Sequence, residues 1–121
     1  MNIAAYLLSL MFLARELTHR EHLKTKSYAA HVALQGFYEG IIPLADSFAE
    51  VYQGMYGIID NIPLANNQQG PNIESILVTQ SAWIETTRTK FNTHKDKPLQ
   101  NIIDEILALY YQTLYKLKYL S

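Results

Sequence analysis

The chain has 121 residues, which is enough for one domain and too few for two ordinary ones. Apolar residues make up 49% of it, so the chain can bury a core. Ten Lys and Arg residues face eleven Asp and Glu residues, and a net charge of −1 argues against DNA binding driven by bulk charge. The absence of cysteine excludes disulfides, thiolate zinc sites, iron–sulfur clusters and cysteine nucleophiles.

The first apolar run, residues 3–14, is about a dozen residues long, whereas a membrane-spanning helix needs about 20. No basic segment precedes this run, and Arg15 and Glu16 follow it directly, which argues against a cleaved signal peptide. We therefore predict one soluble domain over residues 1–121, located in the cytoplasm, or in the host cytoplasm if the protein is viral.

The N-terminal half predicts two helices. Apolar residues recur at helical spacing from Ile3 to Leu17 and predict a first amphipathic helix. A second apolar stripe follows Ser27, which we expect to be its N-cap, and continues to Tyr52. Pro43 lies inside this second segment and removes one backbone hydrogen bond, so we expect a kink there.

The C-terminal half predicts two more helices after a loop. Residues 54–71 are rich in Gly, Pro, Asn and Gln, a composition typical of a loop. Ile73 opens a third apolar stripe, which residues 92–96 interrupt. Asp96 as an N-cap, with Pro98 in the first turn, predicts the start of a fourth helix.

The lengths of the connections predict the topology. Two connections are short, but the one between the second and third helices has about 16 residues, enough to run the length of a helix. The third helix can then start parallel to the second one. The predicted fold is therefore all-α: a ferritin-like four-helix bundle with a long crossover between helices 2 and 3.

Four residues in the first half suggest metal chemistry. His19 and His31 lie six residues on either side of residue 25, so an antiparallel hairpin brings them to similar heights. Asp46 and Glu50 are four residues apart on a face that we expect to lean toward the core. Two carboxylates one turn apart repel each other unless a metal ion, or a Lys or Arg from a neighbour, lies between them.

The histidine pair and the carboxylate pair cannot share a metal ion within one chain. Asp46 lies fifteen residues beyond His31, which is about 22 Å along a helix. The two pairs can meet if two subunits pack their hairpins antiparallel about a two-fold axis. Imidazoles with carboxylates suit iron, manganese or zinc, so the spacing predicts a metal site shared by a homodimer or higher oligomer.

The segment from His19 to His31, continued by Asp46 and Glu50, resembles the ferroxidase segment of Dps-type mini-ferritins, including small Dps-like proteins of bacteriophages. In that family two histidines twelve residues apart are followed, after fifteen residues, by an Asp, and after four more by a Glu within an Asp-x-x-Ala-Glu string. All three spacings, and Ala49 before Glu50, match. The resemblance implies an iron site at a dimer interface, with histidines from one subunit and acids from the other.

Two functions follow as hypotheses. The first is an iron-binding protein that oxidises or sequesters Fe(II), with His19, His31, Asp46 and Glu50 as ligands. The second is a non-catalytic helical oligomerisation or interaction protein, viral structural or host-modulating, that keeps the dimer. The native metal, the size of the oligomer and the role of His22 stay open. The sequence has no basic tail, so we do not expect it to bind nucleic acid.

Overall fold

The computed structural model describes residues 2–66 and 70–120. They form four α-helices, and the predicted number of helices is confirmed. The helices are α1 (Ile3–Lys24), α2 (Tyr28–Tyr56), α3 (Ile73–Thr87) and α4 (Lys97–Tyr119). Two 3₁₀ turns, at residues 88–90 and 94–96, separate α3 from α4, and no strand occurs in the described ranges.

Polar side chains fix the beginnings of the first two helices. The side-chain oxygen of Asn2 accepts hydrogen bonds from two backbone N–H groups in the first turn of α1, at 2.8 and 3.2 Å. The hydroxyl of Ser27 accepts from the backbone N–H of Ala30 at 3.1 Å, which confirms the predicted N-cap of α2. Helix α2 then continues through Pro43 as a single helix of 29 residues.

The core draws large apolar side chains from all four helices. The Phe37 ring of α2 packs edge-on against the Tyr110 ring of α4, with centroids 4.9 Å apart. The largest side chains with no measurable exposure include Leu7, Leu8 and Met11 of α1, Phe37, Ile41 and Phe48 of α2, Leu77 and Ile84 of α3, and Leu99, Ile103 and Tyr110 of α4. Burial of these apolar stripes is what drives the helices together.

The connection between α2 and α3 runs along α1. The hydroxyl of Ser9 on α1 donates to the main-chain oxygen of Pro63 at 2.7 Å. Further on, a cavity between Leu17 on α1 and Ile73 at the start of α3 shows that α3 begins beside the C-terminal half of α1. The connection is thus a long crossover, and α2 and α3 point in the same direction. The predicted loop also includes residues 67–69, which lie outside the described residues.

Helix α4 begins after Asp96, as predicted, but the side chain of that residue does not cap it. The Asp96 carboxylate accepts instead from the hydroxyl of Thr93 at 2.8 Å, from its backbone N–H at 3.2 Å, and from the hydroxyl of Tyr56. Asp96 therefore ties the end of α2 to the start of α4. None of the helices in the described ranges has the length and apolarity needed to span a bilayer.

Candidate functional site

A pair of mutually bonded histidines lies beside the turn of the α1–α2 hairpin. The Nδ1 atom of His22 lies 2.7 Å from the main-chain oxygen of His31, and the Nδ1 atom of His31 lies 2.8 Å from that of His22. The two imidazole rings stack with centroids 3.6 Å apart and planes 20° apart. The two residues therefore link α1 to α2 through two hydrogen bonds and one ring contact.

The bonds of this pair fix where its protons lie. A main-chain carbonyl oxygen only accepts hydrogen bonds, so each Nδ1 carries a proton and donates it. In a neutral ring, the Nε2 atom then holds the available lone pair. His22 is buried, whereas His31 is half-buried and lies beside the exposed ring of Tyr28 at a centroid distance of 6.3 Å.

His19 does not face His31. Its ring stacks on the ring of Tyr38 at a centroid distance of 4.1 Å, and it lies 6.0 Å from the ring of His22. The guanidinium of Arg15 lies 5.9 Å from the centroid of the same tyrosine ring. The expectation that His19 and His31 meet is therefore wrong, because His22 takes the position opposite His31.

The location of the turn explains why sequence reasoning missed His22. The expectation placed the centre of the hairpin at residue 25, which pairs residue 31 with residue 19. The helices end at Lys24 and begin at Tyr28, so the centre lies at residue 26. In an antiparallel hairpin, moving the centre by one residue moves the partner of a given residue by two, so residue 31 comes level with residue 21, next to His22. Ser27, recognised as an N-cap, was the signal that could have corrected the pairing.

Asp46 and Glu50 do not lean toward the core. Both side chains are exposed on α2, whereas Ala45 and Phe48, one and two positions away, are fully buried. The core stripe of α2 passes through these two apolar residues, and the carboxylates fall outside it. The expectation of a core-leaning acidic pair is wrong. In residues 2–66 and 70–120, no group of three or more His, Asp or Glu residues could hold a metal ion.

A second polar cluster lies at the opposite end of the bundle. The Asp96 carboxylate is buried and takes hydrogen bonds from Tyr56 and Thr93. The hydrogen bond from Tyr56 lowers the pKa of Asp96, and the same bond raises the pKa of Tyr56. The ammonium of Lys95 lies 4.6 Å from the centroid of the Tyr56 ring. Since Tyr56 and Thr93 both donate to the buried Asp96 carboxylate, this cluster stabilises the packing of the end of α2 against the start of α4.

Comparisons with known proteins identify relatives but no activity. The model of a family of unknown function (DUF5856) matches residues 22–117. An uncharacterized 14.6 kDa protein in the mobD–ri intergenic region of Enterobacteria phage T4 is 32% identical over 116 residues, covering 91% of this chain and 84% of its own. No solved structure matches this chain.

These matches overturn the resemblance to Dps-type mini-ferritins. The family model that covers most of the chain is a different one, and the phage relative carries no mini-ferritin description. The resemblance rested on four residues and three spacings, and two of its geometric consequences also fail: His19 does not face His31, and the carboxylates do not lean inward. The assignment to that family is therefore wrong.

Proposed function

Because the chain belongs to DUF5856, a family of unknown function, we propose its function from its own surface: it is a non-catalytic helical interaction protein that pairs with a second copy of itself. Charge segregation supports this proposal. Residues 27–87 contain no Lys or Arg, but they contain six carboxylates. Those in this stretch are Glu39, Asp46, Glu50, Asp60, Glu74 and Glu85.

The acidic part of α2 has no cation of its own. Glu39, Asp46 and Glu50 are exposed, and none of them forms an ion pair with a described residue. The end of α1 and the turn that follows it carry the opposite charge on Lys24 and Lys26, which are also exposed. Lys24 reaches one carboxylate, Glu21, only at 4.0 Å. The hairpin is thus basic at its turn and acidic along α2.

A two-fold axis across α2 matches these charges. In an antiparallel pair, a residue meets the one that lies equally far on the other side of the axis. Lys26 with Asp46 has its midpoint at residue 36. Lys24 ends α1 level with residue 28 of α2, so its pairing with Glu50 has a midpoint at residue 39. An axis between these midpoints leaves each pair about 4.5 Å from alignment, an offset that long lysine side chains can span. It also brings Glu39 near Gln35 of the second copy, and the amide of Gln35 already donates to Glu39 within the chain at 3.3 Å.

Apolar side chains on the same hairpin supply affinity. Phe12 on α1 is 40% exposed and Val32 on α2 is 48% exposed. Exposed ion pairs contribute little free energy, so charges set the register and the association rate while apolar burial holds the complex. Tyr6 on α1 is exposed as well, whereas Leu8 and Leu13 on the same helix are buried within the chain.

Sedimentation velocity over a range of protein concentrations tests the proposal. We expect a dimer for the unaltered protein and a monomer for the Asp46→Lys/Glu50→Lys double variant, because like charges then meet at both contact points. The Lys24→Glu/Lys26→Glu double variant should also be a monomer. Combining all four substitutions reverses both sides and should restore the dimer.

The matched control is Glu105→Lys, which reverses an exposed charge on α4 and should leave the dimer intact. A protein that stays monomeric at every concentration contradicts the proposal. A dimer that tolerates both double variants contradicts the register, since the charges would then lie outside the interface.

Metal binding at the same interface is a second candidate, favoured by one observation. The Nδ1 atom of His31 donates to a main-chain carbonyl, which is how proteins commonly orient a metal-ligating imidazole through its other nitrogen. A second copy whose two-fold axis lies about one residue further along α2 would bring its Asp46 level with that Nε2 atom and its Glu50 one helical turn beyond. This donor set suits iron, manganese or zinc.

Equilibrium dialysis against Zn(II), Mn(II) or, without oxygen, Fe(II) tests this candidate. We expect binding that His31→Ala and Glu50→Ala each abolish. The Lys24→Glu/Lys26→Glu variant changes no ligand, so its loss of metal shows that the site is shared between copies. Oxygen consumption after Fe(II) is added then separates oxidation from storage. Metal binding that survives in a monomer, or no binding, contradicts a shared site.

A further inference from the structure

A groove forms where α2 begins and α4 ends, because these two helices lie side by side and run in opposite directions. The groove has a volume of about 360 Å³. It is lined by Tyr28, Ala29, Val32 and Ala33 of α2 and by Lys116 and Leu120 from the end of α4. Its rim is open to solvent, since Tyr28 is 81% exposed and Leu120 is 53% exposed.

The two chain segments that form this groove carry positive charge and no carboxylate side chain. Residues 106–120 include Lys116 and Lys118 and no carboxylate side chain, and residues 25–38 contain none either. Both lysines are exposed, and neither forms an ion pair with a carboxylate in the described residues. The net charge of −1 does not reveal this surface, because the carboxylates that balance the two lysines lie elsewhere in the chain.

Aromatic rings lie beside these lysines. Tyr115 and Tyr119 are one helical turn apart, with ring centroids separated by 5.8 Å, and they are 55% and 67% exposed. The ammonium of Lys118 lies 5.6 Å from the centroid of the Tyr119 ring. Much of the surface of both rings stays open to solvent, so they offer area on which a planar ligand could stack.

We propose that this Lys–Tyr surface, formed by Tyr28, Tyr115, Lys116, Lys118 and Tyr119, binds single-stranded nucleic acid. Lysines attract the phosphates, and exposed tyrosines stack on unpaired bases, which is the combination that sequence-tolerant single-strand binding requires. A duplex hides its base faces and gains only the phosphate contacts. The surface shares no residue with the charge pairs of the proposed dimer, so each proposal can fail without the other.

Fluorescence anisotropy with a labelled oligothymidine of about 16 nucleotides tests this inference. We expect binding that weakens as salt is raised, with a shallow slope of about −1.4 in log affinity against log salt for two phosphate contacts. Lys116→Gln/Lys118→Gln should remove most of that slope. Tyr119→Ala should weaken binding at least about fivefold without changing the slope of log affinity against log salt. The matched control, Lys90→Gln/Lys97→Gln, alters two exposed lysines at the other end and should bind like the unaltered protein.

Three results overturn the inference. One is no binding at low salt, and another is binding that survives both the lysine and the tyrosine variants. The third is equal affinity for a duplex of the same length, which would leave no role for stacking. Vesicles containing phosphatidylglycerol provide the competing anionic surface. If the protein binds these vesicles more tightly than the oligonucleotide, and the lysine and tyrosine variants no longer bind the vesicles, the surface recognises lipid headgroups. The inference is then wrong.

Discussion

His22 and His31 hold α1 against α2 by exchanging hydrogen bonds, since the Nδ1 atom of each ring lies within 2.8 Å of the main-chain oxygen of the other residue. His22→Ala removes one of these bonds and the ring contact with His31, so the carbonyl of His31 keeps only its bond within α2. We expect the free energy of unfolding to fall by about 1–3 kcal/mol in urea denaturation. His22→Phe keeps a ring in the stack and isolates the loss of the hydrogen bond.

The matched control for this pair is His94→Ala. His94 is exposed, so its substitution should change stability by less than about 0.5 kcal/mol. A double-mutant cycle of His22→Ala with His31→Ala should give a coupling of about 0.5–1.5 kcal/mol or more, because the residues touch. Additive effects would mean that the two side chains act independently and that the paired geometry contributes nothing.

The link between Tyr56 and Asp96 should make stability depend on pH at both extremes. The pKa of Asp96 is lowered on folding, so its contribution is present above the unfolded pKa, about 3.9, and is lost as pH falls through the lower folded pKa. The pKa of Tyr56 is raised, so its contribution is present below about pH 10 and is lost as pH rises through the higher folded pKa.

Denaturation curves between about pH 2 and pH 7 check the acid side of this prediction. Asp96→Asn should be less stable than the unaltered protein at pH 7 and should lose less stability on acidification. Tyr56→Phe should reduce the acid dependence without abolishing it, because Thr93 still donates two hydrogen bonds to Asp96. An unchanged acid dependence in Asp96→Asn would place its source elsewhere.

The buried pair formed by Gln80 and Tyr110 should show an asymmetric response to substitution. The Tyr110 hydroxyl donates to Gln80 Oε1 at 2.9 Å, while Gln80 Nε2 is buried with no partner among the described residues. Tyr110→Phe leaves both polar atoms of Gln80 unpaired, so we expect a loss of about 1–3 kcal/mol. Gln80→Leu leaves the hydroxyl unpaired but removes the orphaned amide, so we expect a smaller loss.

The double variant Gln80→Leu/Tyr110→Phe removes all the polar atoms of this pair from the core. Replacing both partners of a buried hydrogen bond by apolar groups of similar shape is nearly neutral or stabilising. Thermal unfolding should therefore place the double variant at or above the unaltered protein. A double variant that is less stable than Tyr110→Phe alone would show that the hydrogen bond outweighs the orphaned amide.

Local signals in the sequence were enough to predict where the helices begin. Ser27 predicted the start of α2 because its hydroxyl can replace the missing helical acceptor, and the structure uses it in this way. Pro98 marked the first turn of α4, where the lack of an N–H costs nothing. These signals act within a few residues of the chain, so they can be recognised without knowledge of the fold.

The candidate site depended on register, which local signals do not fix. One residue of error in the centre of the turn paired His31 with His19, whereas the structure pairs it with His22. The predicted core face of α2 was rotated by less than half a helical turn. That error placed Asp46 toward the core, whereas the buried apolar stripe of α2 passes through Ala45. Four members of the Lys–Tyr surface lie within residues 115–119 and can be read from the sequence, whereas Tyr28 comes beside Lys116 only after α2 and α4 pack.

Two glycines at the end of α2 should respond to alanine in opposite directions. Gly54 lies in the last turns of the helix with no heavy atom within 4 Å of an added Cβ, so Gly54→Ala should raise the free energy of unfolding by about 0.5–1 kcal/mol. Gly57 ends the helix at a φ of 100°, a conformation that alanine rarely adopts, and Gly57→Ala should lower it by about 1–2 kcal/mol. Urea denaturation of the two variants measures the change in the free energy of unfolding at two positions that are three residues apart. Destabilisation by both would show that Gly54 contacts something in solution, such as a second copy, that the single chain lacks.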